Sequence, residues 1–355
     1  MSHELAQTAD GRDAMAYVGR APWHKLGQKL EAGASKEEWC KAAGFDFQYL
    51  VDTVRFEHNG AQHEMPSRLV IYRGDTLAPM SIVSNQFKIV QPSDVMAYFD
   101  SLATRAGFQL ETAGLLFGGK QLWALANIGD EKAVASAKDR IKGRLLMATS
   151  VDLSLPTTLK FLAERVVCHN TLSYGMREGG GTTVRVRHRT TFRPDEVNEQ
   201  LGITMQSGFD EAMEDFRRLA DTPMNDIEMI EATIALHDPS AMDKDPDELM
   251  QLLHNHKPIQ RIGELSIGEE AIGSELPGAA GTAWGWLNAV TQYYDHERNA
   301  RSDDFRLSRT WFGDGDRMKS RAFEIAMMTA NGDESYKHDF QASGGALLDA
   351  VLAAT

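Results

Sequence analysis

Phe108-Gln109-Leu110-Glu111-Thr112-Ala113-Gly114-Leu115-Leu116 and Gln121-Leu122-Trp123-Ala124-Leu125-Ala126-Asn127-Ile128 flank Gly118-Gly119. Two apolar runs of strand length around a glycine pair read as a β-hairpin. On the N-terminal side, residues 45–56, 61–65 and 68–73 read as strands. Asn59-Gly60 between the first two is a strong hairpin turn. Residues 82–90 read as another strand. Pro92-Ser93-Asp94 opens an amphipathic helix with Val95, Met96, Phe99, Leu102 and Ala103 on one face, and Gly107 stops it. Ser35-Lys36-Glu37-Glu38 is a capping box for a short helix ended by Gly44. On the C-terminal side, residues 140–153 read as a long strand. Pro156-Thr157 reads as the start of a helix reaching about Tyr174. Gly179-Gly180-Gly181 is a break, and residues 182–190 form a strand.

Strands grouped in hairpins, without regular alternation with helices, specify an α+β fold. The expectation is an antiparallel, hairpin-rich sheet packed on helices, with a helical C-terminal region. Residues 1–35 read as an N-terminal arm, 36–193 as the α+β core, 194–260 as an acidic helical region and 261–355 as an aromatic helical region. Within the last, residues 261–282 read as a loop or linker, followed by a helix over 282–297.

The chain has 355 residues and a formal net charge of −14. Residues 140–193 nevertheless hold ten Lys/Arg against three Asp/Glu, whereas residues 195–256 hold three against sixteen. Adjacent blocks of opposite sign attract partners of opposite charge. There is no run of 18 apolar residues, so no membrane span is expected. The start, Met1-Ser2-His3-Glu4, lacks a secretory pattern, and cytoplasm is the expected compartment. The two cysteines, Cys40 and Cys168, supply neither a disulfide framework nor a four-cysteine zinc site.

Signals for catalysis are thin. No phosphate loop or dinucleotide fingerprint occurs, and the triple glycine precedes a strand where phosphate cradles precede helices. His254-x-His256 reads as a solvated helix end, Cys168 as core and Asp314-x-Asp316 as a turn. No enzyme activity, cofactor or metal is expected.

The basic block carries the functional signal. In Thr183-Val184-Arg185-Val186-Arg187-His188-Arg189 the strand period of two sets Arg185, Arg187 and Arg189 on one face and the valines on the other. Alternate residues lie about 6.6 Å apart, close to the phosphate spacing of an extended strand. Arginine forks grip phosphate oxygens bidentately and stay charged. The expected preceding helix adds Lys160, Arg165 and His169, with Tyr174 and Arg177 near the glycine break, Tyr174 as a stacking ring. Three readings compete: a nucleic-acid groove, a solvated outer face and a charge-paired subunit interface. The Trp/Gly clusters at 22–27 and 281–291 read as packing.

Pro22-Trp23-His24-Lys25-Leu26-Gly27, Arg165-Val166-Val167-Cys168-His169-Asn170-Thr171-Leu172 and the stretch from Trp284 to Asp295, followed by Arg309, Trp311 and Lys319, carry a resemblance. They resemble phage- and plasmid-borne proteins with the domain of unknown function numbered 932. The resemblance covers most of residues 20–330 and implies context without an assigned activity. The element order of hairpin, helix, hairpin, long strand, helix and basic strand is also similar to single-strand annealing recombinases, the superfamily of Rad-fifty-two, Red-beta and Erf. That likeness implies a ring or filament of copies that holds single-stranded DNA in a basic groove and anneals it without ATP. A host replication or single-strand-binding protein is a further expected partner. The rival expectation is an interaction protein that binds a host defence or replication factor without catalysis.

Overall fold

The computed structural model describes residues 11–19, 27–173, 183–200, 205–240, 246–333 and 335–336. Its elements run β1 (Met15–Val18), β2 (Gln28–Leu30), α1 (Lys36–Ala43), β3 (Tyr49–His58), β4 (Ala61–Arg73), β5 (Pro79–Ser84), α2 (Pro92–Ala106), β6 (Gln109–Leu116), β7 (Gln121–Asn127), β8 (Lys132–Ala133), β9 (Arg140–Ser150), β10 (Thr157–Arg165), β11 (Asn170–Ser173) and β12 (Thr183–Val186). Helices follow: α3 (Pro194–Gln200), α4 (Met205–Ala220), α5 (Asp226–His237), α6 (Pro246–Asn255), α7 (Lys257–Ile267), α8 (Ala283–Gln292), α9 (Asp303–Phe312) and α10 (Asp314–Ala330). The chain is a mixed α+β protein with an antiparallel-rich sheet and C-terminal helices.

Local chemistry explains many boundaries. Ser35 and Glu38 exchange backbone and side-chain hydrogen bonds at the start of α1, and Gly44 closes it in the left-handed conformation. Asn59 and Gly60 both have positive φ, as the tight turn between β3 and β4 requires. In β4, Pro66 has no N–H for a ladder. The register slips there, from Thr53 opposite Leu69 to Val54 opposite Met65.

The larger sheet has the order β11-β10-β9-β7-β6-β1-β2, with β8 also on β9. Among the described strands only β1 and β2 pair in parallel. Thus Met15–Val18 and Gln28–Leu30, expected within a free arm, are sheet strands. β10 is flanked by β9 on one side. Its other edge is shared: β12 pairs with residues 157–160 and β11 with residues 162–165. β3, β4 and β5 form a separate three-stranded sheet.

The expected helix over 156–174 is instead β10, a turn and β11. All nine residues of β10 are buried. A strand covered on both faces loses its period-two pattern, and its Leu, Lys, Ala, Glu and Arg then imitate a helix. The reading of 261–282 as a loop is also shortened, because α7 continues to Ile267.

One face of the sheet presents Leu122, Ala124, Leu145, Met147, Leu159, Phe161 and Val184 to a core shared with α1, α2, α4, α8 and α10. That single cluster runs from Ala14 to Ala326. The other face presents Trp123, Leu125, Leu146 and Leu162 to α9, where the Trp123 and Trp311 rings stand 5.3 Å apart.

The motif at 281–286 is built for close packing. Thr282 caps α8 by accepting from the Gly285 N–H. A Cβ on Gly285 would sit 1.8 Å from the Ala279 carbonyl oxygen, while Gly281 has φ +69° and open space around it. Gly281→Ala is therefore expected to cost about 1 to 2 kcal/mol of left-handed strain. Gly285→Ala must shift backbone and cost clearly more. Calorimetric melting of both variants checks this; equal melting temperatures would contradict the close approach.

Candidate nucleic-acid interface

β12 follows the expected alternation. Val184 is buried and Val186 packs against the main core. Arg185, Arg187 and Arg189 are exposed. Among the described residues none of the three makes an ion pair. The strand itself ends at Val186, earlier than expected, and Arg189 lies in the turn that follows. His188 anchors that turn. Its ring stacks on Phe87 at 4.5 Å, and its two ring nitrogens lie 3.2 and 3.1 Å from the Lys88 and Leu155 carbonyl oxygens. The strand's period of two therefore stops at Val186: the Thr190 N–H bonds the Arg187 carbonyl and closes a turn, so Arg187 and Arg189 are exposed on a pinned turn and not on the strand face of Arg185.

The other described cations of the basic block are spoken for. At one end of the sheet Arg140 pairs with Glu131, Lys142 with Glu131 and Glu111, and Arg144 with Glu111 and Glu164. Burial would raise the Glu164 carboxyl. His169, Arg144 and Lys142 outweigh it and hold that carboxyl below its usual range. Arg193 pairs with Glu196 on the surface, a contact of little energetic weight.

Lys160 and Arg165, expected on phosphates, are core residues. Lys160 is 1% exposed, bonds the Trp311 carbonyl and lies 2.8 Å from Asp316 Oδ1. Burial pulls its ammonium down to about 8 against the pull of Asp316. Arg165 donates to both oxygens of Asp139 at 2.7 and 2.9 Å, and to the Ile272 and Gly273 carbonyls. Asp139 is fully buried and also accepts from the Trp284 indole at 3.0 Å. Each cation has its carboxylate far away in sequence, so spacing carries no sign of the pairing.

His169 is exposed, but it bonds Glu164 at 2.6 Å from a turn at the opposite end of β10. Arg185 faces Thr158 near the strand start. About seven residues of strand, roughly 20 Å, separate the two ends. The helix expected to carry Lys160, Arg165 and His169 together therefore does not form. Tyr174 and Arg177 lie outside the described residues.

The motifs at 165–172 and 284–319 meet in a second buried clasp. Lys319, 1% exposed, donates to Asp295 Oδ1 at 2.5 Å and to Thr171 Oγ1 at 3.1 Å. Asp295 Oδ2 accepts from the Thr171 backbone N–H at 2.6 Å. Asn170 donates to the Asn288 carbonyl, and Ser173 to Asp316. These contacts bolt β11 to α8, the following π turn and α10. Cys168 is buried and its thiol is pushed up to about 11 by that burial, which makes it a core residue and a poor nucleophile.

Asp314 and Asp316 open α10 and are engaged with cations, Asp314 with Arg298 and Arg309. Among the described residues no group of three or more His, Cys, Asp or Glu is placed to hold a metal ion. No described helix is long and apolar enough to cross a membrane. Sequence reasoning missed Arg317 and Arg321, which α10 brings into one cleft with Arg185. Their separation from Arg185 by more than 130 positions hides the grouping.

The family model described as Domain of unknown function (DUF932) matches residues 79–311. A match over well over half of the chain shows that the chain belongs to this family. No curated protein and no solved structure matches it.

The clasp makes a quantitative prediction. Lys319→Met strands the Asp295 charge in the core and is expected to cost about 3 to 5 kcal/mol. Adding Asp295→Asn should recover part of that loss, because no lone charge remains. Urea unfolding of Lys319→Met, Asp295→Asn and the double variant gives the coupling; additive losses would contradict it.

Proposed function

We propose that this DUF932 protein binds single-stranded DNA along Arg185, Arg187 and Arg189 and promotes annealing of complementary strands without nucleotide hydrolysis. One observation carries the reading. Six cations of the basic block are bound to carboxylates, whereas these three are exposed, in series and unpaired among the described residues. A solvated face offers no reason for that division. A charge row on a pinned backbone suits a phosphate chain, with guanidinium forks tracking the backbone and bases left free to pair.

Several copies acting together form part of the proposal, since one row grips only about three phosphates. The β3–β4 ribbon supports it: Val51, Phe56 and Met65 are about half exposed there. Beyond the residues that pair with β5, the stretch of 54–58 against 61–65, which carries Phe56 and Met65, is two-stranded; such a ribbon is marginal alone in water and gains from a covering surface. The same ribbon is the observation that favours the second reading, an interaction protein docked on a host factor.

Replacing Arg185, Arg187 and Arg189 together with Ala should leave the fold intact, because their side chains contact no carboxylate of the described residues. Each single-strand phosphate contributes about 0.7 to the slope of log K against log salt. The triple variant should therefore lose roughly two units of slope. Filter binding of an oligothymidine across a salt series measures it; an unchanged slope and affinity would remove the row from the interface.

Annealing of complementary oligonucleotides should be accelerated without ATP, since duplex stacking supplies about 1.4 kcal/mol per step. The rate should fall as salt rises, because capture is electrostatic. Stopped-flow fluorescence checks both. Strand binding without acceleration would leave the host-factor reading ahead.

A further inference from the structure

At one end of the arginine row a cleft of about 1390 Å³ opens between the ends of β11 and β12, the C-terminal end of α5 and one side of α10. Small-molecule sites usually measure about 300–1,000 Å³, so this one is roomy enough for a nucleotide. Among the described residues its charge does not cancel. Asp314 is held by Arg298 and Arg309 at 2.6 and 2.9 Å. Asp316 is held by Lys160 and Ser173 at 2.8 and 2.5 Å. Of the lining carboxylates only Glu324, exposed, has no ion pair among the described residues. Against it stand three arginines. Arg185 and Arg317 make no ion pair among the described residues, and Arg321 spends one N–H on the Ala235 carbonyl at 3.0 Å.

α10 sets polar and apolar groups side by side. Arg317 and Arg321 are one turn apart and share a face. Met318, half-buried, lies on the neighbouring stripe, and Met328 lines the same wall further along. A dianionic ligand with a flat apolar part matches this lining: the forks take phosphate oxygens, and polarisable thioethers pack against a ring.

We infer that the cleft binds a nucleoside phosphate, its phosphate on Arg185, Arg317 and Arg321 and its base against Met318, which lies beside both α10 arginines. Two sources supply that chemistry, a free nucleotide and the phosphorylated end of a strand lying on the arginine row. The second source rests on the strand-binding reading; the first does not.

The test uses the full chain and two double variants. Arg317→Gln with Arg321→Gln removes two of the three cleft charges and keeps an N–H for Ala235. Arg187→Ala with Arg189→Ala weakens the row and leaves the cleft. The probes are dAMP, deoxyadenosine, and an oligothymidine with a 5′-phosphate, a 3′-phosphate or neither, followed by calorimetric titration. The wild type should bind dAMP, and deoxyadenosine at least roughly tenfold more weakly, the loss expected for one charge-assisted contact. The cleft variant should lose dAMP binding by a similar factor with unchanged melting, and the row variant should keep it. A phosphorylated oligonucleotide that outcompetes dAMP identifies the strand end as the source. No such preference, with dAMP bound, identifies the free nucleotide. Absence of dAMP binding together with indifference to the terminal phosphate would overturn the inference, as would dAMP binding that survives in the cleft variant. If the row variant binds unphosphorylated oligothymidine like the wild type, the strand reading falls while the dAMP result still decides the cleft.

Discussion

A lysine ammonium sealed in the core, Lys319 on Asp295, is the constraint on which the rest of this molecule depends. Withdrawing both charges from water costs several kcal/mol per ion, and only good geometry offsets it. Here the geometry is supplied by β11, whose Thr171 gives a backbone N–H and a hydroxyl to the same pair. The helices α8 and α10 cannot leave the sheet without baring an unpaired charge. Arg165 on Asp139 and Lys160 on Asp316 repeat the device along β10. Two buried pairs and Lys160 on the half-buried Asp316 thus tie β10 and β11 to α8, α10 and the loop that carries Asp139.

The clasps also decide what the surface offers. A block of ten basic residues looks like one broad cationic field, yet most of its charge is matched by carboxylates from β6, β10 and more distant segments. Among the described residues the remaining positive charge is narrow: Arg185, Arg187 and Arg189, leading to a cleft with two more arginines. Neighbouring acidic helices are likewise partly engaged, with Asp210 on Lys132 and Glu228 in the cap of α5. A thin line of charge suits an extended single strand better than it suits a duplex, whose phosphates lie on two separated rails.

Much of this fold was legible locally. The capping box at Ser35, the left-handed stops at Gly44 and Gly107 and the Asn59-Gly60 turn are short-range chemistry, and the structure keeps each. The alternation of Val184, Arg185 and Val186 was legible because β12 has one wet face. β10 was not. Covered on both sides, it shows no alternation, and its charges answer partners 26 and 156 positions away. Lys160 and Arg165 therefore looked like surface cations while serving as structural ones. The motifs at 165–172 and 284–295, which lie inside the matched residues 79–311, named a family without naming a job, and both supply clasp residues.

Arginine labelling with phenylglyoxal, read residue by residue by mass spectrometry with and without oligothymidine, tests the division of the basic block most directly. The account predicts that Arg185, Arg187 and Arg189 react in the free protein and are protected by the oligonucleotide. Arg144 and Arg165 should stay unreactive in both states until the protein is unfolded. Native reactivity of Arg165 equal to that of Arg187, or full reactivity of all three row arginines under saturating oligonucleotide, would contradict it.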